Sequence, residues 1–297
     1  MKSSACTNYQ SKNAFSLIEL SIVILIVGIL IAGVTSSSRL VKRMKVITAQ
    51  NLTQSSPALS IKDLSVWYET TLDKSFVDSE ESDGTPIATW FDNNIQSSFK
   101  YDFKQATVAN QPKYSEGIIN NLPAIKFDGT DDFMIASQVG ISGKGFSAFL
   151  VGQRLAYPGG WQTSLSGNSL TNNDDCLSGS FIMFGEWSSA FGSCTNLNQW
   201  TYSNIAHPGN GTPYIYDLVV TPTNNLAYFN GANVSNISAS YSYNFDSIRA
   251  GCRYSNGNSN FFNGYISEII IYSRALNTEE RKSVESYLSK KYSIKIV

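Results

Sequence analysis

The chain is poor in the residues that most catalytic and metal chemistry needs. It has one histidine, His207, and four cysteines among 297 residues, and only 15% of its residues are charged. A lone histidine excludes the usual His-based zinc sites. There is no Gly-x-Ser-x-Gly elbow for a nucleophilic serine and no Glu-x-Asp-x-Glu strand. Glycoside hydrolysis by the usual route needs two carboxyl groups flanking the scissile bond, whereas Glu186 and Glu268 stand alone in their segments. Lysine and arginine number 22 against 23 aspartates and glutamates. That near-neutral balance excludes a general nucleic-acid binder, which needs a basic surface to neutralise phosphates.

Against this low charge stands one long apolar run from Phe15 to Val34, interrupted by a single charge, Glu19. As a helix such a run rises about 30 Å, the thickness of a bilayer's hydrocarbon core. A carboxylate within it costs roughly 2.5–3.5 kcal/mol on insertion scales, which makes Glu19 a functional candidate. A short polar leader with Lys2 and Lys12 precedes the run. No small-residue cleavage site of the A-x-A kind follows it, as an ordinary secretory signal would require. Helical spacing continues through Leu40, Val41, Met44 and Ile47, with a basic cluster at Arg39, Lys42, Arg43 and Lys45. That cluster suits lipid head groups or acidic residues of a neighbour. By charge count alone it would face inward. Ser55-Ser56-Pro57 ends the helix in a linker over residues 55–60.

The remainder, residues 61–297, alternates short apolar runs with Gly, Asn and Pro, the pattern of an all-β domain with room for a sizeable core. Strands are expected at Leu64–Tyr68, Ala124–Phe127, Phe133–Ile135, Phe146–Val151, Ser180–Phe184, Tyr214–Val220, Leu226–Phe229 and Tyr265–Tyr272. Asp128 to Asp132 reads as a hairpin turn, and Asn224-Asn225 and Asn230-Gly231 as further turns. Trp67 and Trp90 are expected in the core. Near the end, Asn277 and Glu280 form a capping box, with Val284, Tyr287 and Leu288 on one face. Lys290 and Lys291 suit that helix's C-terminal dipole, and 293–297 reads as a last strand.

Lys12-Asn13-Ala14 followed by Phe15-Ser16-Leu17-Ile18-Glu19 resembles the type IV prepilin family, which includes pilins and the pseudopilins of type II secretion. The resemblance covers about residues 12 to 50. It implies a leader 1–14, an assembly helix 15–54, cleavage between Ala14 and Phe15 by a prepilin peptidase, and N-methylation of Phe15. One departure is Ala14, where the family usually has Gly. The freed amine at Phe15 needs a carboxylate partner among apolar helices, and Glu19 of a neighbouring subunit supplies it. Gly28 and Ala32 permit close helix approach.

Other phrases are Trp67 in the first strand, Ile87-Ala88-Thr89-Trp90-Phe91-Asp92, Gln111-Pro112-Lys113-Tyr114, Leu122 to Asp132, and Phe262 to Ile269. Arg274-Ala275-Leu276 then leads into the helix ending Tyr287 to Tyr292. In this order they resemble the concanavalin A-like, laminin G-like superfamily. The fold this implies is an all-β jelly-roll sandwich preceded by a long N-terminal transmembrane α-helix. Such domains often bind glycans or proteins, sometimes with calcium. Trp161, Trp187, Trp200 and Tyr202 are the candidate ligand-binding aromatics. Asp128, Asp131 and Asp132 are the candidate calcium ligands, with Asn172-Asn173-Asp174-Asp175 a second oxygen-rich loop. No cofactor is required. Cys6 leaves with the leader, and Cys176 and Cys194 are the expected disulfide, leaving Cys252 over.

The expected protein is a minor pilin-like subunit and not an enzyme. It is anchored once in a bacterial inner membrane, with its head in the periplasm, or outside the cell once assembled in a pilus. Its partners are other pilin-like subunits, the peptidase, the membrane, and a glycan or protein ligand; nucleic acid is not among them. Three alternatives remain: a pseudopilin recognising secreted cargo, an envelope-tethered glycan-processing enzyme, and a structural head without a ligand.

Overall fold

The computed structural model describes residues 16–156, 160–168, 181–187, 190–195, 199–206, 209–238, 243–254 and 258–297. Within these, only the backbone is described at 34–38, 181–187, 190–195, 199–206 and 254. The chain forms two compact units, Met1–Met44 and Lys45–Val297.

Helix α1, Leu17–Gln54, is a continuous 38-residue helix that belongs to both units. Over Leu17–Ile31 its large apolar side chains are exposed on every side, from 46% at Val27 to 85% at Leu17. A helix that is apolar all round is one meant for burial, in a bilayer or among other helices. Among the described residues, however, no helix is long and apolar enough to cross a membrane.

The second unit is a sandwich of two eight-stranded sheets. The first runs in the order Ala232–Ser238, Asn224–Phe229, Pro213–Val220, Phe146–Arg154, Asn263–Tyr272, Leu122–Asp128, Lys113–Ile119, with Leu64–Glu69 also paired to Asn263–Tyr272. The second runs Gln199–Ala206, Ala190–Thr195, Phe181–Trp187, Trp161–Asn168, Tyr243–Ala250, Met134–Gly143, Phe103–Lys104, Thr89–Trp90. The core between the sheets is rich in aromatics, with Tyr68, Trp90, Phe103, Phe127, Phe146, Tyr214 and Tyr216 buried in it. A second core lies on the outer face of the first sheet. There Trp67, Phe149, Ile270 and Tyr272 pack against Ala49 of α1 and against helix α2, Thr278–Tyr292. Trp67 and Trp90 are buried as expected.

The strand Asn263–Tyr272, the most apolar in the sequence, is buried on both faces because it lies inside the three-layered stack. Ile266, Ile269 and Ile271 turn to the inter-sheet core, and Ile270 and Tyr272 to the helices. The change of parity comes from a bulge between Ile266 and Glu268, which sets Glu268 on the helix side. Helix α2 carries the expected capping box: Asn277 accepts the Glu280 N–H, and Glu280 accepts the Asn277 N–H.

Three sequence expectations change. Asp128 to Asp132 is a turn but not a hairpin, since the strands it joins lie in opposite sheets. Asn224 and Asn225 lie in a strand, and the turn precedes them, with Thr221 Oγ1 accepting the N–H groups of Thr223 and Asn224. Residues 293–297 are not a strand. Ser293 takes a left-handed C-cap with φ 55°, and the tail returns so that Val297 N–H meets Asn230 O at 3.1 Å. Lys290 and Lys291 lie in the last turn of α2 as expected, and Lys291 is buried. Within 55–60, Pro57–Leu59 forms a short 3-10 helix capped by Ser56, with Ala58 buried.

Candidate functional site

At the head of α1, Glu19 lies in the first turn, where its carboxylate complements the helix's positive end. Its Oε2 accepts the Ser16 N–H at 2.9 Å, and Ser16 Oγ accepts the Ile18 N–H. A single chain thus spends Glu19 on its own helix start. Ala14 and Phe15 themselves lie outside the described residues. A Cβ built on Gly28 meets nothing within 4 Å, so that face is open to another helix.

The sandwich grips the other end of α1. Lys45 Nζ donates to Asn120 Oδ1 at 3.1 Å, and Asn120 Nδ2 donates to Lys291 O at 2.9 Å. Gln50 Nε2 donates to Thr71 O and Asp73 Oδ1. Buried Thr53 shares a hydrogen bond with Tyr287 OH at 3.2 Å.

The four candidate aromatics all fall on the free-edge half of the second sheet, but not at one point. Trp161 is half-buried, and Trp187 pairs with it directly across the neighbouring strand. Tyr202 pairs with Gly192, and Trp200 with Cys194, which itself pairs with Ile182. Ile182 is five residues along from Trp187, about 16 Å at 3.3 Å per residue. The backbone therefore brings Trp161 and Trp187 together and sets Trp200 at the far end. Cys176, and with it the expected disulfide, lies outside the described residues, as do residues 172–175 and His207. Cys252 is buried, its thiol 3.7 Å from Asn258 Oδ1.

Sequence reading passed over a polar row on the strand Trp161–Asn168. Leu165 faces the inter-sheet core, so Gln162, Ser164, Ser166 and Asn168 alternate onto the other face, and all are buried. Asn168 Oδ1 accepts from Ser247 Oγ at 2.8 Å and from Arg249 Nη1. The alternation of Gln, Ser and Asn with Leu165 was the available signal.

The aspartate turn does bring its three carboxyls together, with ligand oxygens all within 4.8 Å of one another. Its own amides use part of that capacity. Asp128 Oδ1 accepts the N–H groups of Thr130 and Asp131, and Asp132 Oδ2 accepts that of Asp128. Burial and the neighbouring Asp128 push Asp132 up to about 7. Gly129, at φ 79°, leaves no room for a side chain: its Cβ would meet that of Asn263 at 2.7 Å.

Glu268 is the feature sequence reading weighed as an acid and the structure places otherwise. Its Oε1 accepts from Trp67 Nε1 and Tyr287 OH, and its Oε2 from Lys291 Nζ and Tyr292 OH, each at 2.8 Å. With four donors and 1% exposure it has no capacity left for a substrate.

The model for the prokaryotic N-terminal methylation motif matches residues 9–35. The N-terminal segment is therefore type IV pilin-like. No curated protein matches the chain. Among solved structures, a Trypanosoma rangeli sialidase in complex with sialic acid aligns with a TM-score of 0.52 at 11% identity, over 78% of this chain and 34% of that one. Domain 4 of an extracellular GH43 arabinanase from Geobacillus stearothermophilus, in complex with arabinotriose, aligns at 0.47 and 17% identity, over 77% and 98%. The CBM40 domain of a Ruminococcus gnavus sialidase, bound to α2,3-sialyllactose, aligns at 0.39 and 14% identity, over 46% and 80%. This chain spans about a third of the Trypanosoma sialidase's length. At 11% identity the likeness to the Trypanosoma sialidase shows the fold alone.

Proposed function

We propose that the protein is a minor pilin-like subunit, cut between Ala14 and Phe15 by a prepilin peptidase and methylated on Phe15. Its helix holds it in the inner membrane and packs it among other pilin-like subunits. The sandwich is displayed outside that membrane as a head that binds a glycan or a protein. One observation carries this reading: α1 begins with a stretch exposed and apolar on every side, whose single charge is Glu19. Such a surface needs lipid or other helices around it, and the matched methylation motif covers the same residues.

A large head is awkward for a subunit repeated along a whole filament, which favours a minor role. The absence of free acceptor capacity on Glu268 supports a binding head over a glycan-processing enzyme. Intact mass spectrometry of the protein from its native envelope tests the reading. A chain beginning at N-methyl-Phe15 supports it; a chain retaining Met1 overturns it. For the head, Trp161 beside Trp187 is the place where a sugar ring would stack. Trp161→Ala in the full chain is expected to weaken binding on a glycan array by about tenfold, the equivalent of about 1.4 kcal/mol. Unchanged binding moves the ligand elsewhere. If the aspartate turn holds calcium, a chelator reproduces the loss and Asp128→Asn abolishes the calcium response.

A further inference from the structure

We propose that a groove beside α2 receives the acidic loop Asp78–Asp83 of a second copy of this chain, joining neighbouring heads side by side. The proposal rests on the filament reading and names one of its contacts.

The groove encloses about 480 Å³ between the last turns of α1 and the outer face of α2. Its walls include Leu52 and Ser55 on one side and Lys282, Ser283, Ser286 and Lys290 on the other. Lys282 and Lys290 are two helical turns apart, about 12 Å, and both are exposed. Among the described residues neither makes an ion pair. The groove thus sets two exposed ammonium groups over a partly apolar floor, with Lys282 also acting at longer range on Glu285.

The chain carries the complement. Asp78-Ser79-Glu80-Glu81-Ser82-Asp83 packs four carboxyls into one short segment, with Asp78 and Asp83 exposed. Glu80 Oε1 accepts the Ala88 N–H at 3.1 Å and Asp83 Oδ1 the Glu116 N–H at 3.0 Å, which holds the segment to the sandwich. Burial, then the like charges of Asp73 and Asp78, push Glu81 up from its ordinary value. A cation brought from outside would relieve that crowding.

The two surfaces lie on different flanks of α1. Gln50 bonds Asp73 on the acidic flank, while Leu52 lines the groove. Two residues of helix rotate by about 200°. A head therefore presents its acidic flank on one side and its basic groove on the other, the arrangement of a heterologous, head-to-tail contact. Such contacts close into a ring where the rotation permits and otherwise follow a helix of subunits, here between the few copies that stand next to one another. The pairs are exposed, so the contact weakens with salt.

The test uses the full chain in envelope membranes, with nitrogen-14 and nitrogen-15 copies co-expressed and joined by a carbodiimide, which links amines only to carboxyls in direct contact. The expected result is mixed-isotope peptides joining Lys282 or Lys290 to Asp78, Glu81 or Asp83. K282E/K290E removes both amines and with them these links, and a D78K/E81K/D83K partner copy is expected to restore mixed-isotope links in the reverse sense, from amines on the loop to carboxyls on α2. Mixed links missing from chains that begin at Phe15 overturn the contact and leave the filament reading standing. Mixed links missing from chains that retain Met1 overturn both. Failure of the reversed pair to restore mixed links, with each variant folded by circular dichroism, also overturns it.

Discussion

Helix α2 buries two ionic clusters against the same sheet face, each with two carboxyl groups and one cation, and they are built to different standards. At its C-terminal end Lys291 Nζ lies 2.9 Å from Glu69 Oε2 and 2.8 Å from Glu268 Oε2, all three side chains fully buried. Every oxygen there is served. Glu69 also accepts the N–H groups of Thr71 and Leu72 and the hydroxyls of Thr71 and Ser75. At the N-terminal end Arg281 pairs with Glu285 and lies 3.8 Å from Asp217, its guanidinium 3.6 Å over the Tyr228 ring. Neither Asp217 oxygen has a hydrogen-bond partner within normal range.

The difference decides charge. Burial pushes Glu69 up, but Lys291 and the hydrogen bonds from Ser75, Thr71 and the Leu72 amide outweigh it, and the carboxyl ends below its ordinary value. Burial lowers Lys291, and Glu268 and Glu69 more than reverse it. Asp217 has no such donors. Burial and then Glu285 push it well above its ordinary value, against the pull of Arg281. A buried carboxylate persists where donors replace water, and takes up a proton where they do not.

The largest test removes the cation that makes the first cluster different. Lys291→Met keeps the stem's volume and leaves two carboxyls facing each other without it. A loss of about 3–5 kcal/mol is expected, as for other buried pairs broken from one side, measured by denaturant unfolding of the full chain in detergent. A loss under about 1 kcal/mol would mean that hydroxyl and amide donors alone hold the charges.

A smaller effect separates the clusters by pH. Glu69, with a folded value below 4.5, contributes stability that is complete above 4.5 and is lost as pH falls through its folded value. Asp217 has the opposite sign. Its folded value exceeds 3.8, so the folded state holds the extra proton and stability falls as pH rises between the two. Asp132, raised to about 7, adds to that fall between 3.8 and 7. Unfolding free energy should therefore peak on the acid side of neutrality and decline toward alkaline pH, by up to about 1.4 kcal/mol per pH unit for each proton. Asp217→Asn removes the titrating group and should flatten the alkaline side while leaving the acid side unchanged. Glu69→Gln should flatten the acid side. A profile that Asp217→Asn does not alter would mean that Asp217 is ionised beside Arg281.

What the sequence made legible follows the range of the interactions. The capping box needs only Asn277 and Glu280, three residues apart, and it is there. Short apolar runs marked the first strand and the strand ending at Tyr272, and Trp67 and Trp90 are buried as expected. The aspartate turn was legible as a turn, but the sheet in which each flanking strand pairs is a long-range fact. That error turned a crossing between sheets into a hairpin. Lys291 shows the limit best. Beside Lys290 at a helix end it looks like any solvated lysine, and its partners Glu69 and Glu268 come from distant strands. Glu268 reaches the helix side only through the bulge after Ile266, which nothing in Tyr265-Ile266-Ser267-Glu268 announces. Of the candidate ligand aromatics, Trp161 and Trp187 hold paired backbone positions because their strands pair, whereas Trp200 shares the sheet without sharing the place.

The smallest effect concerns how firmly α2 is started, which bears on whether its two clusters fail together. Asn277 Oδ1 accepts the Glu280 N–H at 2.9 Å, and Glu280 also holds Arg274 through Nη1 at 2.8 Å and Nη2 at 2.7 Å. Asn277→Ala removes one side of the box and is expected to cost about 1 kcal/mol. The first turn lies next to Arg281 and Glu285, ten or more residues before Lys291. If the N-terminal cluster is the weaker one, hydrogen exchange in this variant should rise first at the amides around Arg281 and leave those around Tyr287 to Tyr292 protected. Uniform loss of protection along α2 would show instead that the helix docks as a single unit, with the Lys291 cluster carrying both ends.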